Sequence, residues 1–87
     1  MSYQVIFTKK AAKDIRQFSK SDVPRIINKA ESLADNPRPQ GSKKLSGTQE
    51  EFWRVRIGNY RIIYRIEETI RVVNITKIGH RKDVYRR

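Results

Sequence analysis

From residue 52 onward, apolar side chains recur at every second position in three runs, 52–57, 60–66 and 70–78, separated by Gly58-Asn59 and by Glu67-Glu68-Thr69. A period of two belongs to strands with one face buried, and short polar breaks between such runs are hairpin turns. Residues 2–7 alternate in the same way at Tyr3, Val5 and Phe7, which predicts an earlier strand. Between these regions the period lengthens. Thr8 is placed to cap a helix with Ala11, Ala12, Ile15 and Phe18 on its apolar side, ending near Ser19. Ser21 or Asp22 then caps a second helix, with Pro24 in the first turn, where its missing N–H costs nothing. Its stripe is Ile26, Ile27, Ala30, Leu33 and Ala34, and Asn36-Pro37-Arg38-Pro39-Gln40-Gly41 stops it.

The predicted order is β-α-α-β-β-β, an α+β arrangement in which an antiparallel sheet packs one face against a helical hairpin. The 87 residues suffice for a single domain spanning 1–87, without internal repeats or an interdomain linker. Alternation divides the faces. Trp53, Val55 and Ile57 point one way and Phe52, Arg54 and Arg56 the other; on the next strand Tyr60, Ile62, Tyr64 and Ile66 oppose Arg61, Ile63 and Arg65. The set beginning at Tyr60 reads as core. Arg61 follows the tight turn from Ile57, so the arginines of both strands converge into a cationic platform.

Charge gives that platform a partner. Twenty Lys and Arg against nine Asp and Glu leave +11, which calls for a polyanion, nucleic acid first. Residues 1–42 hold 8 basic and 4 acidic side chains and residues 43–87 hold 12 and 5, so the functional surface is expected in the second part. Cysteine is absent, and one histidine cannot build a metal cluster. Glu50-Glu51 and Glu67-Glu68 are adjacent pairs, which a strand sends to opposite faces, so neither metal nor cofactor is expected. Residues 1–7 are too short and polar for a signal peptide and no apolar run reaches the roughly 18 residues of a membrane span, so a soluble, cytoplasmic protein is expected.

Arginines on an exposed sheet face have an ordinary explanation, since they solvate it and discourage aggregation. The preference for arginine over lysine in the strands points instead to phosphate, whose oxygens fit the planar guanidinium fork. His80 reads either as a solvated strand end or as a proton-transfer group, and Tyr85 either as a packed surface anchor or as part of a site.

Lys43-Lys44-Leu45-Ser46-Gly47, Trp53-Arg54-Val55-Arg56, the run Gly58-Asn59-Tyr60-Arg61-Ile62-Ile63-Tyr64, and Ile78-Gly79-His80-Arg81-Lys82-Asp83-Val84-Tyr85 resemble the RelE/ParE toxin superfamily, RelE branch, over nearly the whole chain. The resemblance implies the toxin of a toxin–antitoxin pair, which enters the ribosomal A site and cuts mRNA. It also implies a RelB-like antitoxin encoded beside it, with operon DNA contacted only through that antitoxin. Working positions carried over are Arg54, Arg56, Arg61, Arg81 and Tyr85, with Lys43 and Lys44 among the phosphate-binding set. In this scheme the ribose 2′-OH attacks its own phosphate, Arg61 and Arg81 stabilise the phosphorane, and Tyr85 or His80 acts as base. Better-known RelE-like enzymes often carry lysines where Arg54 and Arg56 stand; arginine stays protonated, so these two hold phosphate rather than remove a proton. Two other readings stand beside this one: a ParE-like inhibitor of DNA gyrase, and a non-catalytic RNA-binding module with Phe52, Tyr60 or Trp53 stacking on bases.

Overall fold

The computed structural model describes residues 2–45 and 51–80. Within them the chain runs β1 (Gln4–Phe7), α1 (Lys9–Ile15), α2 (Asp22–Ser32), β2 (Lys43–Lys44), β3 (Phe52–Ile57), β4 (Tyr60–Glu67) and β5 (Val72–His80). The strands form one sheet in the order β1-β5-β4-β3-β2, and the α+β class follows. Ala11, Ile26, Ala30 and Leu33 from the helical segment meet Val55, Ile62, Tyr64, Val73, Ile75 and Ile78 from the sheet in one core. Outside β5, both sets are those left on one face by their local period.

The β3–β4 hairpin holds the register that alternation requires. Val55 lies opposite Ile62, Trp53 opposite Tyr64 and Ile57 opposite Tyr60, which sends Arg56 and Arg61 to the other side as direct partners. Its turn depends on Gly58, whose φ of +58° favours glycine at the first central position of a two-residue hairpin loop. A Cβ there would also come within 3.1 Å of Arg25 Nη2, so the exposed guanidinium would have to shift slightly.

Several local expectations are revised by tertiary contacts. Helix α1 stops at Ile15 rather than near Ser19, and the next residues close tight turns, with Phe18 N–H donating to the Ile15 carbonyl at 3.1 Å. Phe18 still reaches the core and lies 4.8 Å, centroid to centroid, from Tyr60. The cap of α2 is not the Ser21 hydroxyl; Ser19 Oγ accepts from Asp22 N–H at 3.3 Å, while the Asp22 carboxylate accepts from Tyr60 Oη at 2.8 Å. Lys43–Lys44 adds a short strand that two residues of lysine gave no apolar reason to expect. Strand β1 joins the sheet in parallel beside β5, a pairing that a long connection through two helices permits. A register shift between Ile63 and Tyr64 breaks the alternation of β5, so Ile75 and Ile78 both reach the core although three positions apart.

Beyond the reach of β1, helix α1 takes over the edge of β5. Asp14, 8% exposed, accepts the Ile78 N–H at 3.0 Å and is ion-paired with Lys10 at 2.7 Å. At the other end, the wholly buried Tyr64 donates its hydroxyl to the Pro37 carbonyl at 2.7 Å, anchoring the chain after α2; burial pushes the phenol up to about 12. Arg38 continues the anchor, bonding Glu68 at 2.5 Å and lying 5.1 Å over the Trp53 ring.

Asp14→Ala leaves a buried N–H without a partner and is expected to cost about 1–3 kcal/mol in urea unfolding. Lys10→Ala removes only the exposed half of the ion pair and should stay within about 0.5 kcal/mol.

The Tyr60 bond, with smaller help from Ser19, holds the Asp22 carboxyl below its usual range. Its contribution to stability is therefore present above the ordinary aspartate pKa of about 4 and is lost as pH falls through the depressed native value. Tyr60→Phe should lower stability at neutral pH and flatten the acid limb of a stability-versus-pH curve; an unchanged limb would remove Asp22 from that account.

Candidate phosphate-binding face

The sheet face turned away from the helices carries its cations in rows set by register. In one row Gly79, Arg61 and Arg56 are successive cross-strand neighbours; in the next stand Lys77, Ile63, Arg54 and Lys43. Arg54 is 7% exposed and Arg61 5%, whereas Arg56 and Lys43 are exposed. Arg61 Nη1 makes one long bond, 3.4 Å, to the Tyr60 carbonyl. The Nε atoms of Arg54 and Arg61 are both buried without any hydrogen-bond partner.

Such an arrangement is unfavourable by itself. Like charges directly opposite on a sheet repel, and a buried cation without a carboxylate has lost its water for nothing in return. Arg65, one row further, is placed differently, with Glu67 at 3.2 Å. Among the described residues, no acidic side chain forms an ion pair with Arg54, Arg56, Arg61 or Lys43. The face therefore presents concentrated positive charge with unused donors, the complement of a phosphate oxygen set.

The structure brings Arg54, Arg56, Arg61 and Lys43 together, but it does not bring Lys44 or His80 to them. Lys44 is opposite Trp53, on the other side of the sheet from Lys43, and pairs with Glu51 at 3.4 Å. His80 lies opposite Tyr60 on the helix-facing side, ring centroids 5.1 Å apart, because residues paired across a ladder share a face. Register thus places it on the face opposite the arginines. Tyr60, which His80 stacks on, is itself committed to Asp22, and that bond raises its phenol above the usual range. Arg81 and Tyr85 lie outside the described residues.

Lys77 is the member that alternation missed. Strict period two from Ile75 puts Lys77 on the core side, but the β5 irregularity pairs it with Ile63, in the row of Arg54. Two polar residues in succession between two apolar ones, Thr76-Lys77 between Ile75 and Ile78, are the signal that could have revealed the bulge.

Among the described residues the chain is a small α+β domain with a paired helical segment on one sheet face and a set of arginines on the other. Residues 5–85 match the family model described as the ParE toxin of type II toxin–antitoxin systems. A candidate toxin, RelE1, of Methanocaldococcus jannaschii is 32% identical over 89 residues, covering 99% of this chain and 98% of the relative. Among solved structures, the archaeal RelE–RelB complex from Pyrococcus horikoshii gives a TM-score of 0.81 at 29% identity, covering 95% of this chain and 99% of that one. The RelBE2 toxin–antitoxin complex from Mycobacterium tuberculosis gives 0.84 at 27%, covering 93% and 100%. The chain belongs to the RelE/ParE superfamily of type II toxin–antitoxin toxins.

If the charged face is strained without its anion, removing charge should stabilise the free protein. Arg54→Met, of similar length and without a buried orphan donor, is expected to raise unfolding free energy by about 1 kcal/mol or more. Arg56→Gln should do so less, and only at low salt, since Arg56 is exposed. Destabilisation by Arg54→Met would show that the guanidinium is satisfied in the free fold.

Proposed function

We propose that this toxin is a ribosome-dependent endoribonuclease that cuts mRNA in the A site. The observation that carries the reading is the set of Arg54, Arg56 and Arg61 on one sheet face, two of them buried with Nε unpartnered, in a toxin of this superfamily. In the proposed reaction the ribose 2′-oxygen attacks the adjacent phosphorus and the bond to the 5′-oxygen breaks. The 2′ proton goes to a base, the leaving 5′-oxygen gains a proton, and the products are a 2′,3′-cyclic phosphate and a 5′-hydroxyl. Arg61 stabilises charge on the pentacoordinate phosphorus together with Arg81, and Arg54, Arg56 and Lys43 hold the chain. With His80 turned to the helix side, the base role passes to Tyr85, whose phenol must be lowered by neighbouring cations to accept a proton near neutral pH.

The solved relatives described as RelE–RelB complexes support an antitoxin partner here as well. The charge complement of this surface is an acidic segment laid across it, blocking access to the ribosome. Among the described residues no helix is long and apolar enough to cross a membrane.

Purified protein added to programmed ribosomes with an open A site should cleave the A-site codon. Arg61→Ala and Tyr85→Phe should each slow single-turnover cleavage by about 10²-fold or more, the usual scale for losing a charge stabiliser or a general base. The match to the family model described as ParE favours a second reading, inhibition of DNA gyrase. Absence of cleavage by the wild type together with loss of supercoiling activity in a gyrase assay would decide for it.

A further inference from the structure

Strand β2 pairs with β3 at Trp53 and Arg54, and Leu45 N–H reaches the Phe52 carbonyl at 2.8 Å, so among the described residues the β3 edge from Val55 on has no strand beside it. At that edge lies an open cleft of about 300 Å³, lined by Lys29, Gln40, Gly41, Arg54, Val55 and Arg56. Three of these six lining residues are cationic, and none of the three forms an ion pair among the described residues. Arg54 contributes to it while 93% buried by exposure of 7%, its Nε without a partner.

The opposite wall is a turn closed by Ser42 N–H donating to the Pro39 carbonyl at 2.9 Å, with Gly41 at φ +93°. A Cβ on Gly41 would meet nothing within 4 Å, so backbone and open space face the cations. Positive φ at the third position is the mark of a type II turn, whose backbone stands clear of its surroundings. The Tyr64 bond to Pro37 fixes this loop, so the wall is held in place by the core.

We propose that this cleft is a second RNA phosphate subsite, in which Lys29 binds a phosphodiester of the message next to the one held at Arg61. Arg54 and Arg56 belong both to the arginine face and to the cleft, so a strand that leaves the face over the β3 edge passes directly to Lys29 and the Gln40 amide. Among the described residues the cleft has cations and polar groups but no aromatic wall, which suits backbone phosphate and not a base. Lys29 is thereby a positioning residue: it fixes the register of the message and takes no proton in the reaction. The inference rests on the RNA-cleaving reading, and its test separates the two.

The test uses ribosomes carrying a message with 2′-deoxy nucleotides in the A-site codon, which cannot be cut, and single neutral methylphosphonate linkages placed in turn on either side of it. Lys29→Gln should weaken binding several-fold and lower the slope of log affinity against log salt by about one, as for one lost phosphate contact. One methylphosphonate position should weaken the wild type and have no further effect in Lys29→Gln, and Lys29→Arg should restore both affinity and slope. With a cleavable message, Lys29→Gln should raise KM while leaving kcat near wild type.

Equal binding by wild type and Lys29→Gln would overturn the subsite, while Arg61→Ala losing cleavage in the same series would leave the ribonuclease reading intact. Weaker binding without any coupled linkage would overturn it too, placing the Lys29 contact on ribosomal RNA. A wild type that neither cleaves nor binds programmed ribosomes would overturn the parent reading and the subsite with it.

Discussion

The pairing register of β3 against β4 is the constraint on which the rest of this molecule depends. Both strands alternate apolar and basic residues, and with a side-chain period of two a slip by one position exchanges the faces completely. In the register observed, Val55, Ile57, Trp53, Ile62, Tyr60 and Tyr64 line up toward the helices, and Arg56 is left facing Arg61. The core thus forces the like charges together. Nothing on the charged side favours that juxtaposition; it persists because the hydrophobic side and the Gly58 turn allow no other alignment. Burying a side chain such as Ile62 is worth about 1.5–3 kcal/mol, and several such pairs outweigh an arginine repulsion damped by solvent at Arg56.

The second requirement is that the cations stay where the sheet puts them. Arg54 and Arg61 are buried, so their guanidinium groups are confined, and the Nε of each has no hydrogen-bond partner. Confinement removes most of the rotamer entropy that a long side chain otherwise loses on gripping a ligand. It also places the donors in a region of low dielectric, where an anion is attracted more strongly than it would be in water. Like charges held opposite one another on such a face repel, and an anion laid across it offsets that repulsion. The same property makes it a natural target for an acidic partner that keeps the toxin silent, since whatever neutralises the face relieves its repulsion.

How much of this was legible in the sequence varies with the range of the interaction. Residues 52–66 encode both strands, their turn and both faces locally, and the arginine set followed from counting alone. Lys44 and His80 were placed with that set by their neighbours in sequence, and each is excluded by a parity that only pairing reveals: Lys44 shares a face with Trp53 and His80 with Tyr60. Lys77 escaped for the reverse reason, because one irregularity in β5 changes the parity of every residue after it. Ser21 and Asp22 were the expected caps of α2, but Asp22 is taken by Tyr60, 38 positions away in the chain, and Ser19 Oγ accepts the Asp22 N–H instead. Lys29 has no local signature at all, being one lysine on an amphipathic helix until the fold sets it across from the β3 edge.

These details bear on how one scaffold serves unlike targets. The helix-covered side is occupied by packing: Asp14 satisfies the β5 edge, Tyr64 and Arg38 fasten the loop after α2, and Tyr60 ties α2 to the hairpin. Changes there are paid for in stability. The other side carries side chains on which the fold does not rely, because their backbone positions are held from behind by the core. Substitution of an arginine on that face alters what the surface attracts and leaves the register intact, which is why fold membership alone does not choose between a nuclease and an inhibitor of another enzyme. What does choose is whether the cations are matched in position to successive phosphates. On the RNA-cleaving reading proposed here, Arg61 and Arg56 in one row, Lys77, Arg54 and Lys43 in the next, and Lys29 beyond the edge would form a track with direction, whereas a surface that merely seeks negative charge has no need of order along a strand.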